Sequence, residues 1–408
     1  MSSILFISEL YYPEETSTGF FVTGIAEGLA QQEGLRVSAL CAQPTYSRKG
    51  VSAPKRESRN GVSIHRLAAP SGDKNRMLDR IWSALILTLR FCFAMLSDIK
   101  RGDIVVVLTN PPTLPLLAGW ICRIKGATAV LLVHDVYPDV LIPTGFTTER
   151  SLLYRMFERV QRHMLRRMRH VVVLGRDMRE QLRAKLPEAE QDKFTIIPNW
   201  GDGDAVHPGL RSSNALRSRL GLESKFVVQF SGNLGRTHGL DDLVALARSF
   251  KKDVSIHFLI FGWGAGRDWL DQTIRKENML NMTLLDPCDK SELGTYLTAC
   301  DLFLLPFKKG MEGISVPSRL YNVMAAGSPI LAVCSPESEL ALVVEEESMG
   351  WVVEPGDIES MKRVVLEASN HPDRLAMMSR NARSAMEEKY TKEKVIEQFA
   401  ELIQDLSV

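Results

Sequence analysis

The strongest constraint on this chain is a rhythm in which short, β-branched apolar runs recur with helical stretches between them. The runs 4–7, 36–40, 62–67, 103–108 and 129–133 form one series, and 170–174 (HVVVL) adds a member before the helical run 176–185. A second series comprises 226–230, 255–261, 282–285, 301–305 and 330–333, with helical stretches at 241–251, 269–278 and 320–326. Strands that are apolar on both faces must be covered on both, so the alternation predicts parallel sheets between helices. Two such series predict an α/β fold of two Rossmann-like, doubly wound domains facing across a cleft, with ligands at the C-terminal ends of the strands.

A length of 408 residues, 45% of them hydrophobic, suffices for two buried cores. The segment 197–204 (IPNWGDGD), followed by Pro208 and Gly209, is rich in turn formers and separates the two series. The expected domains are therefore 1–200 and 201–390. The tail 391–408 carries apolar residues at 395, 396, 399, 402 and 403, the spacing of one helical face.

Lys and Arg number 50 against 49 Asp and Glu, so a net charge of +1 gives no drive toward nucleic acid. The six cysteines show no CxxC spacing and no cluster with histidine, which predicts free thiols in a reducing compartment and no metal site. The N-terminal run 4–7 is too short for a signal peptide and has no basic residues ahead of it, which predicts a cytoplasmic chain. The apolar run 81–96 falls short of a membrane span and contains Arg90.

Several strand ends carry groups suited to a phosphorylated ligand. After the first strand, the polar loop 9–19 leads to a helix near Phe20, where Gly19 can bring backbone amides to an anion or a hydroxyl. The segment 230–239 (FSGNLGRTHG) has Gly232, Gly235 and Gly239 for close backbone approach, with Asn233 between them and the permanent charge of Arg236. Its spacing, GxxGxxxG, differs from the dinucleotide fingerprint GxGxxG, so a nucleotide diphosphate fits better than a redox cofactor. Gly262, Gly264 and Gly266 leave the next strand end open for a flat base or ribose, or simply form a turn. The segment 310–322 (GMEGISVPSRLYN) offers Glu312 to sugar hydroxyls and Ser315 beside it. There Pro317 and Ser318 open a helix whose first turn holds Arg319; the alternative is a capping serine and a solvated arginine. His134 and Asp135 end an apolar strand of the first domain. Asp202-Gly203-Asp204 reads as DxD, which could hold a divalent ion, but its place between the domains favours a turn.

Taken together, FISELYYPEETSTG at 6–19, TNPPTLPLL at 109–117, HDVYPD at 134–139, IIPNW at 196–200, FSGNLGRTHGL at 230–240 and EGISVPSRLYNVMAAGSPIL at 312–331 resemble glycosyltransferase family 4. The likeness is strongest to bacterial polysaccharide members such as L-fucosamine transferases and colanic-acid fucosyltransferases. It implies a GT-B fold, a C-terminal helix crossing back to the first domain, metal-independent transfer and retained anomeric configuration. It also implies no cofactor beyond a UDP- or GDP-linked sugar donor. By resemblance, Gly232, Asn233 and Arg236 fall in the diphosphate loop, while the strand-end glycines and the helix start read above put Gly262, Ser315, Pro317 and Ser318 at the border of the nucleotide. Glu312 matches the first of the family's paired glutamates, and Arg319 the basic position of its Pro-Ser-Lys/Arg variant. His134 matches the histidine near the donor sugar and Gly19 the glycine beneath the diphosphate. Two positions depart: Asn322 stands where the second, ribose-binding glutamate belongs, and His238 stands near the usual phosphate lysine.

The resemblance implies front-side attack, with Glu312 and His134 positioning the sugar and Arg236 and Arg319 balancing the leaving charge. A GT-B-like nucleotide-sugar epimerase and a non-catalytic sugar-nucleotide-binding protein are the alternatives. Lys74, Arg76, Arg80, Arg90, Lys100 and Arg101 surround the apolar run 81–96, and arginines recur through 155–169. Such a surface suits anionic lipid and a polyprenyl-diphosphate-linked glycan acceptor at the inner face of the plasma membrane; a buried helix beside a solvated basic one is the alternative.

Overall fold

The computed structural model describes residues 2–44, 52–68 and 77–407, with side chains described throughout except at 77–81 and 290. The chain divides into two compact units, one of residues 1–141, 147–198 and 392–408, the other of 142–146 and 199–391.

In the first unit the elements run β1 (Ser2–Ile7), α1 (Ser17–Leu29), β2 (Leu35–Ala42), β3 (Arg56–Arg59), β4 (Val62–Leu67), α2 (Met77–Asp98), β5 (Ile104–Leu108), α3 (Leu114–Lys125), β6 (Thr128–Leu132), α4 (Leu152–Arg167), β7 (His170–Val173), α5 (Arg176–Arg183) and β8 (Phe194–Ile196). The strands order β3-β4-β2-β1-β5-β6-β7-β8, all parallel except the edge pair of β3 with β4. Every residue of β5 is buried, as expected of an IVVVL strand covered on both faces. The polar edge strand β3 (RESR) has no apolar signal and was outside the sequence expectation.

The second unit runs α6 (Ala215–Leu220), β9 (Phe226–Asn233), α7 (Leu240–Ser249), β10 (Ile256–Trp263), α8 (Arg267–Lys276), β11 (Met282–Leu285), α9 (Leu293–Leu297), β12 (Leu302–Pro306), α10 (Arg319–Ala325), β13 (Ile330–Val333), α11 (Glu339–Glu346), β14 (Gly350–Val353), α12 (Ile358–Asn370) and α13 (Pro372–Lys389). Its sheet, β11-β10-β9-β12-β13-β14, is parallel throughout. One face of each sheet packs with its helices into an apolar core, holding residues such as Val105, Val107 and Leu131 in the first and Phe230, Ile260 and Leu304 in the second, while the opposite faces bury residues such as Phe6 and Val106, and Leu259 and Phe303.

The last helix, α14 (Lys392–Ser407), belongs to the first unit and buries Val395, Ile396, Phe399, Leu402 and Ile403. Its close approach to α1 depends on Gly28, where an added Cβ would lie 2.1 Å from Ile396 Cδ1. The run 81–96 is neither a buried core helix nor a span. In α2, Leu87, Phe91, Ala94 and Met95 pack inward while Trp82, Leu85, Leu89, Phe93 and Leu96 form an exposed row at helical spacing. No helix among the described residues is long and apolar enough to cross a membrane.

Candidate nucleotide-binding and transfer site

In the second unit, the register of β9 and β10 sets Gly232 opposite Gly262 and Asn233 opposite Trp263. The two strand ends touch only because neither glycine has a side chain: a Cβ on Gly262 would fall 1.9 Å from the Gly232 carbonyl oxygen. Gly232 adopts φ 130°, a conformation that L side chains rarely take, and a Cβ there would meet Arg319 Cζ at 2.2 Å. Arg319, the first residue of α10, thus lies over the end of β9. Its guanidinium donates to the Ser231 carbonyl and its Cζ sits 5.0 Å from the centre of the Phe230 ring. Burial pulls the guanidinium down to about 10, which leaves it a cation at neutral pH.

Gly232, Asn233, Gly262 and Arg319, drawn from separate stretches of sequence, therefore meet at the ends of β9 and β10. Ser318 precedes α10, yet its hydroxyl makes no capping bond, so that role falls away. Pro317 closes the turn by accepting the Leu320 amide at 3.0 Å, and Ser315 is partly buried ahead of it. Arg236 and Glu312 are exposed on the loops after β9 and β12, and the Arg236 guanidinium lies 5.0 Å from the ring centre of Phe146. Asn322 Oδ1 accepts the Asp202 amide at 2.9 Å, so the atom expected to face a ribose is held by the linker. Asp202 Oδ1 in turn accepts the Ala205 amide at 3.1 Å, making the DxD segment a turn. Among the described residues no three His, Cys, Asp or Glu side chains gather as a metal site requires.

His238 is packed between Phe230 and Phe307, with ring centres 5.8 and 5.7 Å away. Burial, reinforced by the charge of Arg319, lowers it to about 3, so it is neutral near pH 7 and supplies no countercharge. Arg319 and Arg236 supply positive charge in this loop set, and Arg267 adds a third guanidinium, donating to the Gly262 carbonyl at 2.6 Å.

In the first unit His134 follows β6 and is buried; its Nε2 has no hydrogen-bond partner. Burial lowers it to about 4, and raises the neighbouring Asp135 to about 6. Gly19 sits in the first turn of α1, where its amide already donates to the capping Thr16 hydroxyl at 3.2 Å. Sequence reasoning missed Asp139 as a structural node. Its buried carboxylate receives Lys185 Nζ at 2.6 Å, Gln181 at 3.0 Å and the Tyr154 hydroxyl at 3.2 Å, and so anchors the loop that carries His134. The aspartate was visible in HDVYPD, but its partners lie on α4 and beyond, at separations only the fold closes. All six cysteines are free thiols.

Residues 18–200 match the glycosyl transferase 4-like domain, and residues 212–385 match the glycosyl transferases group 1 domain. The probable glycosyltransferase WbjE of Pseudomonas aeruginosa is 28% identical over 406 residues, spanning 100% of this chain and 98% of that protein. The putative colanic acid biosynthesis glycosyl transferase WcaI of Escherichia coli (strain K12) is 24% identical over 401 residues, spanning 95% and 96%. Among solved structures, Anabaena HepE in complex with UDP aligns with a TM-score of 0.73 at 14% identity, covering 99% of this chain and 100% of that one. With two parallel-sheet units, a 4-like domain followed by a group 1 domain and glycine-bared strand ends beneath a partly buried arginine, the chain belongs to the glycosyltransferases of GT-B fold.

Proposed function

We propose that the protein transfers a sugar, with retention and without a metal ion, from a UDP- or GDP-linked donor to a polyprenyl-diphosphate-linked glycan during bacterial surface polysaccharide assembly. The observation that carries the donor half is the seat of Arg319 over Gly232, a cation fixed where two strand ends are bare of side chains. A diphosphate there would meet a pre-oriented fork of N–H groups, and negative charge that grows on the leaving group is what such a fixed cation stabilises most. Support also comes from relatives: HepE has been solved with UDP-glucose, and WcaI is named for colanic acid biosynthesis. A fucose- or fucosamine-type sugar is the first donor to try.

In this scheme Arg319 and Arg236 balance the departing diphosphate, and backbone amides at Gly232 and Asn233 approach it. Gly262, Ser315, Pro317, Ser318 and Asn322 border the nucleotide, and Gly19 lies beneath the diphosphate. Glu312 accepts hydroxyls of the transferring sugar. His134, held neutral by burial, hydrogen-bonds that sugar without adding charge. The acceptor hydroxyl attacks from the face the nucleotide leaves, and its proton passes to a donor phosphate oxygen.

The membrane half rests on the first unit. The exposed row on α2 and the arginines of α4, among them Arg155, Arg159 and Arg166, suit an anionic lipid surface at the inner face of the plasma membrane. Lys74 and Arg76 lie outside the described residues, as does the side chain of Arg80.

The test is incubation with a panel of UDP- and GDP-sugars, with and without a lipid-linked acceptor. Acceptor-dependent nucleotide release that survives chelation is expected. Epimer formed without acceptor, or activity lost on chelation, would overturn the assignment.

A further inference from the structure

A cavity of about 290 Å³ lies in the first unit, walled by Pro112 and Leu116 near the start of α3, Val133 after β6, and Phe157, Val160 and Met164 of α4. Its volume is at the small end of ligand sites, which span roughly 300–1,000 Å³. An enclosed apolar void of this size would be strongly destabilising, but this one is open: Phe157 and Val160 are each 40% exposed. The apolar surface continues beyond the mouth along α4, where Leu152, Leu153 and Met156 are exposed.

The polar groups in the wall leave little for a hydrophilic ligand. Gln161 Oε1 already accepts Lys185 Nζ at 2.8 Å. Asp135 also lines this wall, and its carboxyl, neutral or ionised, offers a phosphate no positive charge. Arg155 and Arg159 alternate with Met156 and Val160 on α4, which places guanidinium groups beside the apolar mouth rather than within it.

The geometry points to a binding site for the branched hydrocarbon chain of an isoprenoid phosphate, the chain filling the cavity and the phosphate staying at the arginines of α4. The dry wall selects hydrocarbon, and the flanking arginines select a chain that ends in an anion. The assignment rests on the lipid-linked acceptor proposed above and identifies the part of the protein that grips its lipid.

Farnesyl diphosphate is the probe, with inorganic pyrophosphate and farnesol as controls, titrated into the full-length protein without donor and followed by thermal melting. Farnesyl diphosphate is expected to raise the melting temperature at saturation by a few degrees more than pyrophosphate, which reads only the donor diphosphate site, and more than farnesol. Val160→Trp fills the cavity and should weaken farnesyl diphosphate at least tenfold while leaving the shift produced by UDP unchanged, which certifies its fold. Leu152→Ser alters the exposed surface outside the cavity without adding charge and should leave farnesyl diphosphate binding intact. Equal shifts from pyrophosphate and farnesyl diphosphate, or binding lost in Leu152→Ser and kept in Val160→Trp, would overturn the cavity assignment. Because binding is read without turnover, a protein that transfers sugar to a water-soluble glycan yet ignores farnesyl diphosphate sinks the cavity alone. One that binds the probe yet never releases nucleotide with any acceptor sinks the transferase proposal alone.

Discussion

Asn322 Oδ1 receives the backbone amide of Asp202 at 2.9 Å, joining α10 to the linker that opens the second unit. The residue in the ribose position of the family pattern is thus also a structural tie. Removing the acceptor in Asn322→Ala should cost about 1 kcal/mol, read as a lower melting temperature. Asn322→Asp keeps an acceptor and should melt near wild type, but it loses the amide N–H donors and should bind UDP or GDP several-fold more weakly. Equal nucleotide affinity in wild type and Asn322→Asp would remove Asn322 from the nucleotide site.

Gly232 and Arg319 should behave as one unit. At φ 130° an alanine is strained by about 1–3 kcal/mol, and its Cβ, 2.2 Å from Arg319 Cζ, must push the guanidinium away. Gly232→Ala should therefore lose stability and weaken nucleotide binding about as much as Arg319→Ala does. The double variant should bind no worse than either single one, since both remove the same contact. Additive losses in nucleotide titrations would separate the two residues.

Arg236 and Glu312 are exposed, and their substitution should leave the fold alone. Arg236→Ala and Glu312→Gln are expected to shift stability by less than about 0.5 kcal/mol while lowering kcat/KM by about two orders of magnitude. Wild-type turnover in either variant would strike that residue from the site.

The pH response has two opposed parts in the first unit. His134 is lowered from 6.5 to about 4, so between those values the unfolded chain takes a proton that the folded one refuses, and stability falls as pH drops through that window. Asp135 is raised from 3.8 to about 6, so the folded chain holds the extra proton there and acidification relieves its burial cost. His134→Asn should flatten the acid-side loss in melting curves between pH 6.5 and 4. Asp135→Asn should raise the melting temperature at pH 7.5, with the gain shrinking below pH 6 and gone near pH 4. A gain from Asp135→Asn that persists unchanged at pH 4 would show that its carboxyl does not pay a burial cost.

The inner strands of both sheets were legible in the order of the amino acids because a strand buried on two faces must be apolar along its length, and runs such as IVVVL and LFLLP admit little else, whereas the edge strands β3, β8 and β14 were not. The glycines at 232 and 262 were legible as sites of close approach, since only a residue without a side chain tolerates it. What they approach was not: the partner of Gly232 is a guanidinium that enters from residue 319, and no local pattern encodes that meeting. The same holds for the commitment of Asn322 to the linker, the neutral packing of His238 between two phenylalanines, and the opening of an apolar cavity along α4. Periodicity records which face of an element is buried, a property of neighbours in the chain. Charge state, hydrogen-bond partnership and cavity shape depend on which distant side chains arrive at the same place, and packing of the folded units settles that.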